Sequence, residues 1–149
     1  QSKLQFTVDT QPPAIKGVSV EYPRAAAAAK NGDTVLISAL VEDAGTGLNP
    51  ASVVLASSNL DATAHVMKDD GTNGDKVSGD KVFSYLVTIS AGGNGTKAFT
   101  IGAADAVPNA AGAVAGSVLL DNSAPVFTSL AVQDSVILNI FSAVHECGV

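Results

Sequence analysis

The feature that most constrains this chain is its punctuation. Short runs rich in valine, isoleucine and threonine recur between clusters of Gly, Asn, Asp and Pro, and no stretch carries the apolar period of an amphipathic helix. β-Branched side chains fit a pleated, half-buried surface, so each run reads as a strand. The pattern predicts strands at Leu4–Val8, Ile15–Tyr22, Thr34–Glu42, Ser52–Ala56, Ala64–Lys68, Lys81–Ile89, Lys97–Ala103, Ala113–Leu120, Val126–Val132 and Ser135–Ala143. The one helix-prone stretch, Ala25–Ala29, is too short for a stable isolated helix and is expected to form a single turn inside a loop. Many short strands with turn signals between them describe an all-β sandwich.

The 149 residues suffice for one full domain plus extra strands. Apolar residues make up 46% of the chain, largely Ala and Val with no Trp, so the core should be thin. Alternation predicts that Val35, Ile37, Ala39 and Val41 are buried together, with Phe83, Tyr85, Val87 and Ile89, and Phe99 and Ile101, facing them from the opposing sheet. The formal charge of −6 repels phosphate backbones, which argues against nucleic acid as a partner, and favours hard cations such as calcium. A single cysteine, Cys147, leaves no intrachain disulfide. No apolar run reaches the length needed to cross a bilayer, so no membrane insertion is expected.

An internal repeat organises the chain. The segment Val8-Asp9-Thr10-Gln11-Pro12-Pro13-Ala14-Ile15 reappears as Leu120-Asp121-Asn122-Ser123-Ala124-Pro125-Val126-Phe127. Further on, Asp33–Ser38 matches Asp134–Asn139, at a spacing shorter by about the alanine-rich loop. Proline cannot donate to a ladder and drives its predecessor into extended geometry, so each joint ends one sheet and begins another. Residues 1–8 then read as the last strand of a preceding repeat or as a donor strand, 9–121 as one complete repeat, and 122–149 as the start of a further one or a C-terminal extension.

On these residues the chain resembles the immunoglobulin-like tandem repeats of bacterial surface and secreted proteins. The joint VDTQPPAI looks like the opening of such a repeat, and NGDTVLISALVEDAGTGL like its second strand and turn. MKDDGTNGDKVSGDKVFSYLVTI looks like an acidic hairpin region, AFTIGAADAVPNAAG like the penultimate strand, and SVLLDNSAPV like the exit into the next repeat. Together they cover most of residues 8–127 in family order. The resemblance implies an immunoglobulin-like Greek-key β-sandwich, an extracellular or cell-surface location, and a role in display, adhesion or spacing. The paired cysteines and core Trp of antibody-type domains are missing.

The densest chemistry is Asp69–Asp80, where carboxylates alternate with glycines that let the backbone curl. Two readings stand there: a calcium site using Asp70, Asn73, Asp75 and Asp80, or Asx-turns that shape a long hairpin. The spacing is not that of an EF-hand. A second acidic group comprises Glu42 and Asp43 ahead of Gly45, Asp105 ahead of Pro108-Asn109, and Asp9 or Asp121 at a joint, either sharing an ion between repeats or serving as turn residues. His65 and His145 lack the surroundings of a catalytic base, and His145-Glu146-Cys147 lacks a second cluster to close a zinc site. The function expected is therefore a non-enzymatic structural or adhesive module. Its partners would be neighbouring copies of itself, with strand addition by residues 1–8 as a route to a filament, or a surface glycan or protein. The alternative is a carbohydrate-binding module of a secreted enzyme, for which Tyr22 and Tyr85 are the only tyrosines and Trp is absent.

Overall fold

The computed structural model describes residues 8–25 and 27–129. Seven strands are present there: β1 (Ala14–Glu21), β2 (Thr34–Glu42), β3 (Val54–Ala56), β4 (Ala64–Val66), β5 (Val82–Thr88), β6 (Gly95–Gly102) and β7 (Val114–Leu120). They form two antiparallel sheets, one ordered β1-β2-β5 and the other β4-β3-β6-β7. The chain changes sheet between β2 and β3, between β4 and β5, and between β5 and β6, which makes an immunoglobulin-like Greek-key sandwich. The fourth strand lies beside β3 and not in the sheet of β1, as it would in a constant-type antibody domain.

Strand β2 occupies the predicted Thr34–Glu42, and Val35, Ile37, Ala39 and Val41 are all buried. One expectation is corrected. β5 does not oppose β2 but hydrogen-bonds to it, Ile37 opposite Tyr85 and Ala39 opposite Phe83. Phe83, Val87 and Ile89 therefore share the inner face of β2's own sheet, and the opposing layer is supplied by Leu55, Phe99, Ile101, Val118 and Leu120. Alternation reports which face a side chain takes; it carries no information on which strand lies alongside.

β1 shows how sequence alternation can be broken without losing the core. A bulge between Lys16 and Ser19 inserts one residue, and Gly17 takes a φ of 57° there. The insertion shifts parity, so Ile15, Val18 and Val20 all pack toward the core although 15 and 18 differ in parity.

The alanine stretch forms no helical turn among its described residues; Ala29 instead pairs in parallel with Leu120. Residues 126–129 carry no strand, and the predicted strand Ser135–Ala143, the first seven residues and the His145–Cys147 group lie outside the described residues. Among the described residues no helix is long and apolar enough to cross a membrane.

Seven antiparallel strands place the two joints at opposite poles. The chain enters beside the β2–β3 and β6–β7 turns, at what we call the leading pole: the Asp9 carboxylate accepts from Thr46 N at 2.6 Å and the Asp9 carbonyl from Asn109 Nδ2 at 3.2 Å. It leaves beside the β1–β2 and β5–β6 connections, at the trailing pole: Asn122 Oδ1 accepts from Asn31 N, and Asn122 N donates to Asn94 Oδ1, both at 2.7 Å.

Candidate functional site

The Asp69–Asp80 loop leaves β4 and folds back over the outer face of the three-stranded sheet. It covers Ser38 and Ser84, whose hydroxyls meet at 3.0 Å, and Lys76 Nζ reaches Glu21 Oε1 at 2.6 Å. Gly74 stands where a Cβ would collide with Leu36. Asp69 gathers the loop: its Oδ1 accepts from Gly79 N at 2.8 Å and Asp80 N at 3.1 Å, and its Oδ2 from Lys81 N at 3.1 Å. Asp75, 8% exposed, accepts from Gly71 N at 2.7 Å, and Asp80 accepts from Val82 N at 2.9 Å.

Of the four residues expected to hold calcium, Asp75 and Asp80 are brought together. Their third companion is Asp69, with one oxygen of each within 4.8 Å of the others. Asp70 turns instead to Thr72, whose side chain and backbone N–H hold its carboxyl below the usual carboxylate range. Asn73 sits exposed at the loop's bend with a φ of 57°, a backbone conformation that asparagine tolerates better than most residues.

The second acidic group assembles at the leading pole. Asp9 from the joint, Asp43 from the β2–β3 turn and Asp105 from the β6–β7 turn each place an oxygen within 4.8 Å of the other two. Asp105, 1% exposed, accepts from Val107 N at 2.9 Å, Asn109 N at 2.8 Å and Asn109 Nδ2 at 2.6 Å. Asp43 Oδ2 accepts from Gly45 N at 3.1 Å and Gly47 N at 2.8 Å, while its Oδ1 is buried with no hydrogen-bond partner among the described residues. Gly45 is glycine because a Cβ there would strike the Asp9 carboxylate. The Gln11 and Thr46 N–H groups favour the ionised form of Asp9 and lower its pKa.

Calcium binds oxygens at about 2.3–2.6 Å, so two ligands on opposite sides of one ion stand roughly 5 Å apart. Both groups meet that spacing. Among the described residues, the leading pole alone combines it with a buried carboxylate oxygen that no donor satisfies, a costly arrangement without a cation. Glu42, named with Asp43, points elsewhere, to Lys16 at 3.4 Å and Lys81 at 3.5 Å.

His65 has company that the sequence did not announce. Its Nε2 contacts Asp61 Oδ2 at 2.5 Å and Thr63 Oγ1 at 2.8 Å, and its ring stacks on Tyr85 with centroids 4.2 Å apart. Ser57 donates to Asp61 Oδ1 at 2.6 Å. Burial pushes the Asp61 pKa up, but the Ser57, His65 and Thr63 contacts together outweigh it, and the net shift is downward. The aspartate lies between serine and histidine, whereas a Ser-His-Asp relay needs the imidazole on the hydroxyl. Ser57 is also fully buried. The trio ties the β3–β4 turn together, and the stack on Tyr85 joins it to β5 of the other sheet. Compared with protein-family models, with curated proteins and with solved structures, the chain matches none.

Proposed function

We propose that this protein is a non-enzymatic, extracellular immunoglobulin-like module that works as a structural or adhesive spacer in a tandem array, stabilised by calcium at its leading pole. The observation that carries the reading is that the chain enters at one pole and leaves at the other through the same turn. Asp9 Oδ1 accepts from Gln11 N at 3.0 Å, and its repeat counterpart Asp121 Oδ1 accepts from Ser123 N at 3.0 Å. A module threaded pole to pole transmits distance along its long axis, and one that enters and leaves at the same pole does not.

Filament growth by strand addition is a second way to join copies, and the described sheet edges support it less, the edge strand β4 being only three residues long. β1 carries the Gly17 bulge with Lys16 and Glu21, and bulges and charges discourage edge pairing. On β7, Tyr22 Oη accepts from Leu119 N at 3.0 Å, and Ala29 N donates to Leu119 O at 2.9 Å. On β5, Lys68 and Ser84 exchange backbone hydrogen bonds of 2.9 and 2.7 Å. The carbohydrate-binding alternative would use exposed aromatic faces, yet Tyr22 is half-buried and bonded to β7, and the Tyr85 ring is stacked on His65.

Surface labelling of intact source cells, followed by fractionation, tests the location. Label on the protein in the cell-wall or secreted fraction is expected, and an unlabelled cytosolic protein would overturn the reading. Thermal melting in calcium and in chelator tests the cation, and coincident transitions would remove calcium from the proposal.

A further inference from the structure

The two joints differ in what surrounds their matching residues. Leu120 is 1% exposed in the core, while its repeat counterpart Val8 is 82% exposed. Ile15 packs against the core, while its counterpart Phe127 is 94% exposed. Each apolar residue is covered where it lies inside this sandwich and uncovered at the equivalent position just outside it. The cover that is missing at each end is the cover this fold supplies to the other copy of the motif, which identifies the occupant as a second module of the same kind.

The polar residues at the trailing joint divide in direction. Asn122 holds backward: besides its bonds to Asn31 and Asn94, its Nδ2 donates to the Gly93 carbonyl, and Asn94 Nδ2 donates to Ser123 Oγ. Asp121 N also donates to the Ala29 carbonyl at 2.8 Å. The Asp121 carboxylate holds forward. Its Oδ1 forms the turn with Ser123, and its Oδ2, the atom that in Asp9 receives Thr46 N, takes no hydrogen bond among the described residues.

We infer that Asp121 and Asn122 form a two-way clamp between consecutive modules: Asn122 is fastened to the trailing pole of this sandwich, and Asp121 is the joint aspartate of the next, receiving the N–H of its β2–β3 turn. The inference rests on the tandem-array reading and adds to it a joint with no linker, so that successive modules keep one relative orientation. A flexible linker would let the modules explore a wide range of separations.

The test joins two copies through the native sequence, residues 1–127 continued directly by residues 16–149, with Phe127 standing where Ile15 does. Spin labels at Thr100→Cys in each copy, in a Cys147→Ser background, report the distance between modules. A single narrow distance distribution is expected, widening at least about twofold in Asn122→Ala and in Asp121→Ala of the first copy, with both modules still melting cooperatively. A broad distribution in the unsubstituted tandem chain, or one that neither substitution changes, overturns the clamp while leaving the array reading standing. A second copy that fails to fold, seen as an unfolding enthalpy no larger than that of one module, overturns the array reading itself.

Discussion

The two groups of aspartates in this protein are built from opposite materials. Asp69, Asp75 and Asp80 come from one glycine-rich loop, and each accepts at least one backbone N–H from that loop or its end. Asp9, Asp43 and Asp105 come from three separate segments, and one of their oxygens is buried without a donor among the described residues. The loop is dense in acid because a long connection lying over a sheet needs local acceptors to fold its backbone. The pole is sparse in sequence, and although each of its aspartates also accepts backbone N–H groups, it leaves Asp43 Oδ1 without a donor among the described residues. Carboxylate density along a chain thus measures turn chemistry, and an unsatisfied buried oxygen is the better mark of a cation site.

The largest effect that could break this contrast lies in Asp105. Its carboxylate is buried and holds three donors of the β6–β7 turn, so Asp105→Ala should cost about 3 kcal/mol in chemical denaturation in chelator, and more in calcium, where the ion's stabilisation is lost with it. A loss below about 1 kcal/mol would mean that the turn is held by something else and that Asp105 is free to serve as a ligand alone.

Calcium comes next. An ion that binds only the folded state at a concentration of about a hundred times its dissociation constant adds about 2.7 kcal/mol, a rise of several degrees in melting temperature for a domain of this size. Asp43→Asn should abolish that rise and Asp75→Asn should leave it intact. The reverse pattern would move the ion to the loop, where the sequence offered a calcium site beside the Asx-turn reading.

Asp69→Ala sharpens the comparison from the other side. Removing the acceptor of three loop N–H groups, in a half-exposed place where water replaces part of the loss, should cost about 1–2 kcal/mol. The cost should be the same in calcium and in chelator, measured by the denaturation midpoint. A cost that appears only in calcium would make Asp69 a ligand.

The strands were legible because each lies in a run between turn residues: β2 is an apolar run broken at Ser38, whose odd-numbered positions are buried, and β3 and β4 fall inside the predicted Ser52–Ala56 and Ala64–Lys68, each shortened to three residues, with Ser52 in a 3-10 turn. What alternation could not convey was that β5 lies beside β2, or that a bulge at Gly17 changes the parity of β1. The loop aspartates were conspicuous as a cluster, yet their individual roles were not, since Asp70 and Asp69 are neighbours with different partners. Asp9, Asp43 and Asp105 could be grouped, with Glu42 and Asp121, as turn residues or as sharers of an ion, but not sorted, because it is the Greek-key path that carries these three segments to one pole. Two local signals accompany them: Gly45, which clears space for Asp9, and Asn109, which ties Asp105 to the joint.

The smallest effect is also the most discriminating, because it changes sign. In chelator, Asp43→Asn removes one of three adjacent negative charges and can keep its amide oxygen on the Gly45 and Gly47 N–H groups. The amide NH2 then occupies the place of the unpartnered Oδ1, beside carboxylates that accept hydrogen bonds. Relief of repulsion and a new donor should stabilise the variant by about 0.5–1 kcal/mol relative to the parent chain. In saturating calcium the same substitution removes a charged ligand, and the parent becomes the more stable of the two. Denaturation midpoints that cross between the two conditions would tie the buried oxygen of Asp43 to the ion. A variant less stable than its parent in both would show that this oxygen is held by a partner of the protein's own, and the leading pole would then be a turn like the loop it has been set against.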